Sequence, residues 1–191
     1  MTMDVLEAIR TRRTIARFRP EPILAETLTE ILAAGIWAPN HHLTEPWRFV
    51  ILGPETQRLL AARFGELKVQ KAPTEAAEQR ERIRADNERM FGSLPAVVAV
   101  AALQEGSEQR RREGYAAVCC AVQNLMLGAQ AAGLASFWGT GDLAQARPLA
   151  DLVGAGENER MVGLIRLGYA APGVKAPIKR TSAAKFTRWV E

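Results

Sequence analysis

Arg12, Arg13, Thr14 and Arg17 place three guanidiniums and a hydroxyl within the six residues Arg12-Arg13-Thr14-Ile15-Ala16-Arg17. A cluster of this kind recognises an anion. The planar fork of arginine matches a phosphate dianion, and each charge-assisted hydrogen bond contributes roughly 1.5–3 kcal/mol when it is shielded from water. The same residues also suit a solvated basic helix end, where cations complement the carbonyl end of the helix dipole. A second stretch, Ser136-Phe137-Trp138-Gly139-Thr140-Gly141, sets glycines and hydroxyls around one indole. It reads as a loop that brings backbone close to a planar ligand, or as a turn that covers the core with Trp138. Cys119 and Cys120 are neighbours in an apolar helical pattern. A disulfide between them would be strained and a metal would lack further ligands, so both are expected to be small core residues.

The chain that must position these groups has 191 residues, 48% of them apolar and 24% charged, which fits one globular domain over 1–191 and excludes disordered or collagen-like classes. The longest apolar run, Leu94 to Leu103, is about half of a membrane span, and the opening Met1-Thr2-Met3-Asp4 lacks an export signal. A cytoplasmic protein without a membrane partner is expected. The net charge of +4 raises nucleic acid as a partner, but aromatics are only 6% and no nucleic-acid motif is present, so small anionic ligands account for it.

Helices and strands alternate along the chain. Val5, Leu6, Ile9 and Ile15 recur at helical spacing, and residues 22–37 repeat the pattern through Leu24, Leu28, Ile31 and Leu32 until Pro39 stops it. Residues 47–52 form a β-rich run ended by Gly53-Pro54, residues 96–101 read as a strand buried on both faces, and residues 161–168 as a third. Residues 74–90 are charged almost throughout, which suits either an exposed mobile cover or a solvated helix. Residues 115–132 are a helix too rich in alanine and glycine for one solvent-facing side, so it must pack closely on something, within the domain and across a subunit boundary. Gly133 is placed to end it.

Three of these motifs occur together in one known family. The Arg-Arg-Thr-x-x-Arg-Phe opening, the Ala38-Pro39 helix end followed by Pro46-Trp47-Arg48-Phe49, and the small helix running into Ala135-Ser136-Phe137-Trp138 resemble the FMN-dependent nitroreductase family, in its short single-domain form. The resemblance covers nearly the whole chain. It implies an α+β fold with a central, mostly antiparallel sheet wrapped by helices, in an intertwined homodimer with two FMN sites at its interface. It further implies that Arg12, Arg13 and Thr14, with Lys179 and Arg180 from late in the chain, hold the flavin phosphate and ribityl chain. His41 and Trp37 are expected at the flavin ring, with Trp138, Gly139 and Thr140 contributed beside it by the other chain. Residues 126–133 match the segment that meets the nicotinamide donor, NADH or NADPH, and the proline-rich 171–177 matches a tail that reaches over the partner.

The chain departs from the family pattern at three positions. Leu43 and Glu45 stand where the family carries asparagine and glutamine near the pyrimidine edge, and Glu45 is expected to turn to a backbone donor or to Arg48. Gly139 stands where short members carry arginine, so one cation is expected to be missing unless Lys179 or Arg180 compensates. The implied activity is ping-pong, two-electron reduction of nitroaromatic, quinone or similar flat acceptors by NAD(P)H, with no dedicated catalytic side chain and no metal. A flavoprotein of the same superfamily with another reaction, such as dehalogenation or flavin cleavage, and a non-enzymatic FMN-binding dimer both remain open alternatives.

Overall fold

A computed structural model describes residues 3–141, 144, 146–174 and 179–190. Their order is α1 (Val5–Thr11), α2 (Ala25–Gly35), a 3-10 turn (His41–Leu43), β1 (Trp47–Ile51), α3 (Pro54–Lys71), α4 (Ala77–Gly92), β2 (Ala96–Leu103), α5 (Glu108–Ala131), β3 (Ala135–Gly139), α6 (Arg147–Leu152), β4 (Glu159–Gly168) and a second 3-10 turn (Ala183–Phe186). The four strands form one sheet in the order β1-β2-β4-β3. Every pairing within it is antiparallel, as the family resemblance implied.

The run Ala96-Val97-Val98-Ala99-Val100-Ala101-Ala102 is buried throughout because helices cover both faces of the sheet. Ala96, Val98, Val100 and Ala102 join Leu28 and Ile31 of α2 and Val118, Val122 and Leu125 of α5 in one core. The alternate residues Val97, Ala99 and Ala101 join Leu60 and Phe64 of α3, Phe91 of α4 and Leu149 of α6 in the other. The small residues of α5 are explained by α2: a Cβ on Gly128 would lie 3.3 Å from the Ala34 side chain. Ser107 caps α5 by accepting from the Arg110 amide at 3.3 Å, so the helix begins eight residues before the first alanine, Ala116.

Several expectations are corrected here. The first helix ends at Thr11, so Ile15 lies outside it, and Val5, Leu6 and Ile9 are exposed, leaving Ala8 as its buried residue. The second covers only Ala25–Gly35. Pro54 opens α3, which went unread because Arg58, Arg63, Glu66 and Lys68 are interleaved with its buried Leu60, Ala61, Phe64 and Val69. The charged segment 74–90 contains a packed helix, α4, joined to α3 by Arg84 Nε to Glu66 Oε1 at 2.6 Å and burying Asn87 and Phe91. The stretch read as a loop around Trp138 is the strand β3. Cys120 is exposed and Cys119 half-buried, with burial pushing the Cys119 thiol up. Part of the proline-rich tail, residues 175–178, lies outside the described residues.

Gly163 marks a deliberate irregularity between the sheet and Trp138. The β2–β4 register shifts between Val100 and Ala101, and Gly163 takes φ +153°. A Cβ there would lie 2.4 Å from the Gly139 carbonyl oxygen and 2.7 Å from Trp138 Nε1, so only glycine lets the indole lie down on β4.

Candidate functional site

Arg12 is the C-cap of α1, where the helix stops and its side chain turns inward. Its Nε is buried without a hydrogen-bond partner. Burial holds its pKa below the ordinary arginine value, and the nearby charges of Arg13 and then Arg180 push it further down. Arg13 and Arg180, 167 positions apart in sequence, are therefore both close enough to Arg12 for their charges to act on it. Arg13 Nη1 donates to the Arg10 and Arg12 carbonyls at 2.6 and 2.8 Å, which fixes its fork over the helix end. Lys179 and Arg180 are both exposed. Arg17 lies beyond the cluster, its carbonyl accepting from the Ala171 amide at 3.1 Å.

Thr14 forms an isolated parallel bridge to Ser136, and the Ile15 amide donates to the Ser136 carbonyl at 3.0 Å. This attaches the arginine segment to the outer edge of β3. Trp138 follows two residues later, so the Trp138-Gly139-Thr140 segment starts next to the arginine cluster of its own chain. The Trp138 ring packs on the α5 side of the sheet, and its Nε1 is a second buried donor without a partner. Phe137 and Gly139 face the other side, over a cleft of about 470 Å³ whose lining includes Phe64, Phe91, Thr140 and Arg166.

Arg166 and Lys68 are functional candidates the sequence reading missed. Arg166 sits on β4 with its guanidinium carbon 4.1 Å from the Phe137 ring centre and 5.6 Å from that of Phe91. Burial lowers its pKa. Lys68 donates to the buried Asn87 Oδ1 at 2.8 Å, and its pKa is lowered by burial and then by Arg166. The available signal was a lone arginine inside Met161-Val162-Gly163-Leu164-Ile165-Arg166-Leu167, an otherwise apolar strand.

The histidine turn is a separate place on this chain. His41 Nδ1 donates to Glu113 Oε2 at 2.9 Å and its ring stacks on His42 with centres 3.9 Å apart. The hydrogen bond from His41 is the main reason that the Glu113 carboxyl lies below the ordinary glutamate range, with Gln109 adding to it. His42, Leu43 and Glu45 all take positive φ, at 58°, 51° and 45°. Strain of this kind persists where surrounding bonds hold it, here Asn40 Oδ1 accepting from the Glu45 amide at 3.0 Å. A cleft of about 250 Å³ opens beside the two histidines, Pro46 and Glu113. Arg48 takes Glu159 as its ionic partner at 3.5 Å and reaches only the Glu45 carbonyl, not its carboxylate. Trp37 is 84% exposed and shares no surface with Trp138 within the chain.

Helix α5 measures how far apart these places are. Thr11, next to Arg12, accepts from Gln130 near one end of α5, whereas His41 is tied to Glu113 near the other. Seventeen residues of helix correspond to roughly 25 Å. No helix among the described residues is long and apolar enough to cross a membrane, and no group of three or more potential metal-ligating side chains occurs among them.

An antiparallel sheet layered between helices recurs in known proteins. The model of the nitroreductase family matches residues 9–169, and the chain belongs to that family. YfhC of Bacillus subtilis (strain 168), provisionally named an NAD(P)H nitroreductase, is 30% identical over 178 residues, 92% of this chain and 88% of its own. A nitroreductase-like family protein from Bacillus cereus superposes with a TM-score of 0.84 at 25% identity, covering 100% of this chain and 98% of that one. A nitroreductase with bound FMN from Bacteroides fragilis NCTC 9343 gives 0.77, also at 25% identity, covering 99% and 100%.

Proposed function

We propose that this chain is an FMN-dependent NAD(P)H oxidoreductase that reduces nitroaromatic, quinone or similarly flat acceptors by two electrons in ping-pong fashion, as a cytoplasmic homodimer with two shared flavin sites. The observation that carries the reading is the meeting of Arg12, Arg13 and Arg180. Three like charges crowd together around a buried guanidinium nitrogen that has no partner, an arrangement that fits a phosphate dianion. Family membership and the FMN held by the Bacteroides fragilis protein support the identity of that phosphate.

FMN, when bound, supplies the hydride chemistry, and the chain supplies position and electrostatics. Arg12, Arg13, Thr14, Lys179 and Arg180 hold the phosphate end. Trp138, Gly139 and Thr140, on the strand bridged to Thr14, carry the chain on toward the ring. His41 lies too far along α5 to reach the same flavin from the same chain, which supports its coming from the second copy. Apolar surface left open supports the same assembly: Val5, Leu6 and Ile9 on α1, and Trp189 at 91%, are exposed.

Anaerobic rapid mixing tests this reading. Bound flavin is expected to bleach with NADH or NADPH and to recover its colour when a quinone or nitroaromatic is added, with parallel double-reciprocal plots in the steady state. Flavin that stays oxidised with both nucleotides would overturn the oxidoreductase assignment.

A further inference from the structure

We propose that Arg166 supplies from β4 the cation that the loop lacks at Gly139, and that it acts on the pyrimidine edge of the reduced flavin. This rests on the FMN reading above. A Cβ built on Gly139 would lie 3.9 Å from Arg166 Nη2, so the guanidinium occupies the space toward which a side chain at 139 would extend. Glycine at 139 therefore leaves room for a charge arriving from the neighbouring strand.

The guanidinium is held in place without being neutralised. Phe137 stacks on it, Phe91 flanks it, and its Nη1 donates to the Met90 sulfur at 3.3 Å, a weak acceptor. No ion pair to Arg166 or to Lys68 occurs among the described residues, and Lys68 is satisfied by the neutral Asn87 instead. A partly buried guanidinium without a carboxylate partner is costly unless an anion joins it. The cleft that Arg166 borders is about 470 Å³, apolar on the Phe64 and Phe91 side and polar at Thr140, which suits one edge of a planar ring carrying delocalised negative charge. The oxidised ring is neutral and the two-electron-reduced ring is anionic, so a fixed cation here favours the reduced form selectively.

The test is flavin binding and redox titration of the full-length protein and of Arg166→Met, which keeps an apolar stem over Phe137. The variant is expected to bind oxidised FMN within about threefold of the original and to lose about a further tenfold on reduced FMN, the scale of one cation whose attraction is partly screened by solvent. For a two-electron couple that tenfold change is a fall of about 30 mV in midpoint potential. Arg166→Lys should restore most of it. Should the methionine variant not fold, Arg166→Gln, neutral but still a donor over Phe137, carries the same expectation. A potential unmoved in a folded neutral variant that holds FMN, or equal weakening of oxidised and reduced FMN, overturns this inference alone. An original protein that holds no FMN overturns the flavin reading and this one with it.

Discussion

Removing Arg12 should separate the free protein from the loaded one. In the free chain the Arg12 guanidinium is partly buried, lacks a partner on Nε and is repelled by Arg13 and Arg180. An unsatisfied buried donor costs about 1–3 kcal/mol, so Arg12→Ala relieves a strain while losing the packing of the aliphatic stem. These effects oppose each other, and the stability of the free protein should stay within about 1 kcal/mol of the original. With FMN bound, the same change removes a charge-assisted hydrogen bond of roughly 1.5–3 kcal/mol. That corresponds to about ten- to a hundredfold or slightly more in affinity, with solvent access to the guanidinium favouring the lower end. Fluorescence-quenching titration of the flavin-free protein measures it directly. Riboflavin provides the control, because it carries the ring without the phosphate and should bind both proteins alike. Equal loss of FMN and riboflavin, or unchanged FMN affinity, would mean that Arg12 is a structural residue and that the phosphate lies elsewhere.

Further expectations follow from specific contacts. Gly163→Ala forces a Cβ to within 2.4 Å of the Gly139 carbonyl at a φ of +153°, and should destabilise by about 3 kcal/mol or more with a shifted tryptophan emission in urea unfolding. Asn87→Leu leaves Lys68 Nζ without its 2.8 Å acceptor and should cost about 1–3 kcal/mol, read as a lower urea midpoint at unchanged slope. Because the folded-state pKa of Glu113 is depressed, the His41–Glu113 contact stabilises above the ordinary glutamate value, about 4.3, and is lost as pH falls through the lowered one. Glu113→Gln should flatten that part of the acid-unfolding curve, and an unchanged curve would refute the contact. Gly139→Arg is expected to collide with Arg166 and weaken FMN retention, as measured by the flavin to protein absorbance ratio.

Local patterns revealed some parts of this molecule and concealed others. The run from Ala96 reads as a strand covered on both faces because every position is apolar, and both cores meet on it. The small residues of α5 announce a close neighbour, and α2 is that neighbour. Strand β3 was concealed because glycine and tryptophan have loop chemistry locally, while its pairing with β4 is a tertiary fact. Helix α3 was concealed by charges that point outward between its buried residues. At the site, the first arginines were legible from type and spacing, but their meeting with Arg180 depends on the whole fold. The His41–Glu113 contact spans 72 residues and left no local signal. Arg166 left one, a charge inside an apolar strand, whose meaning depended on where Gly139 lies.

A flavin phosphate held by Arg12, Arg13 and Arg180 in a site completed by a second chain ties cofactor retention to the dimer. Multi-angle light scattering with simultaneous visible absorbance, on protein purified without added flavin and then saturated with FMN, measures mass and cofactor together. A yellow species of twice the 20.9 kDa chain mass carrying about one FMN per chain is expected. A colourless protein that takes up no FMN, or a monomer of single-chain mass that retains it, would contradict the claim.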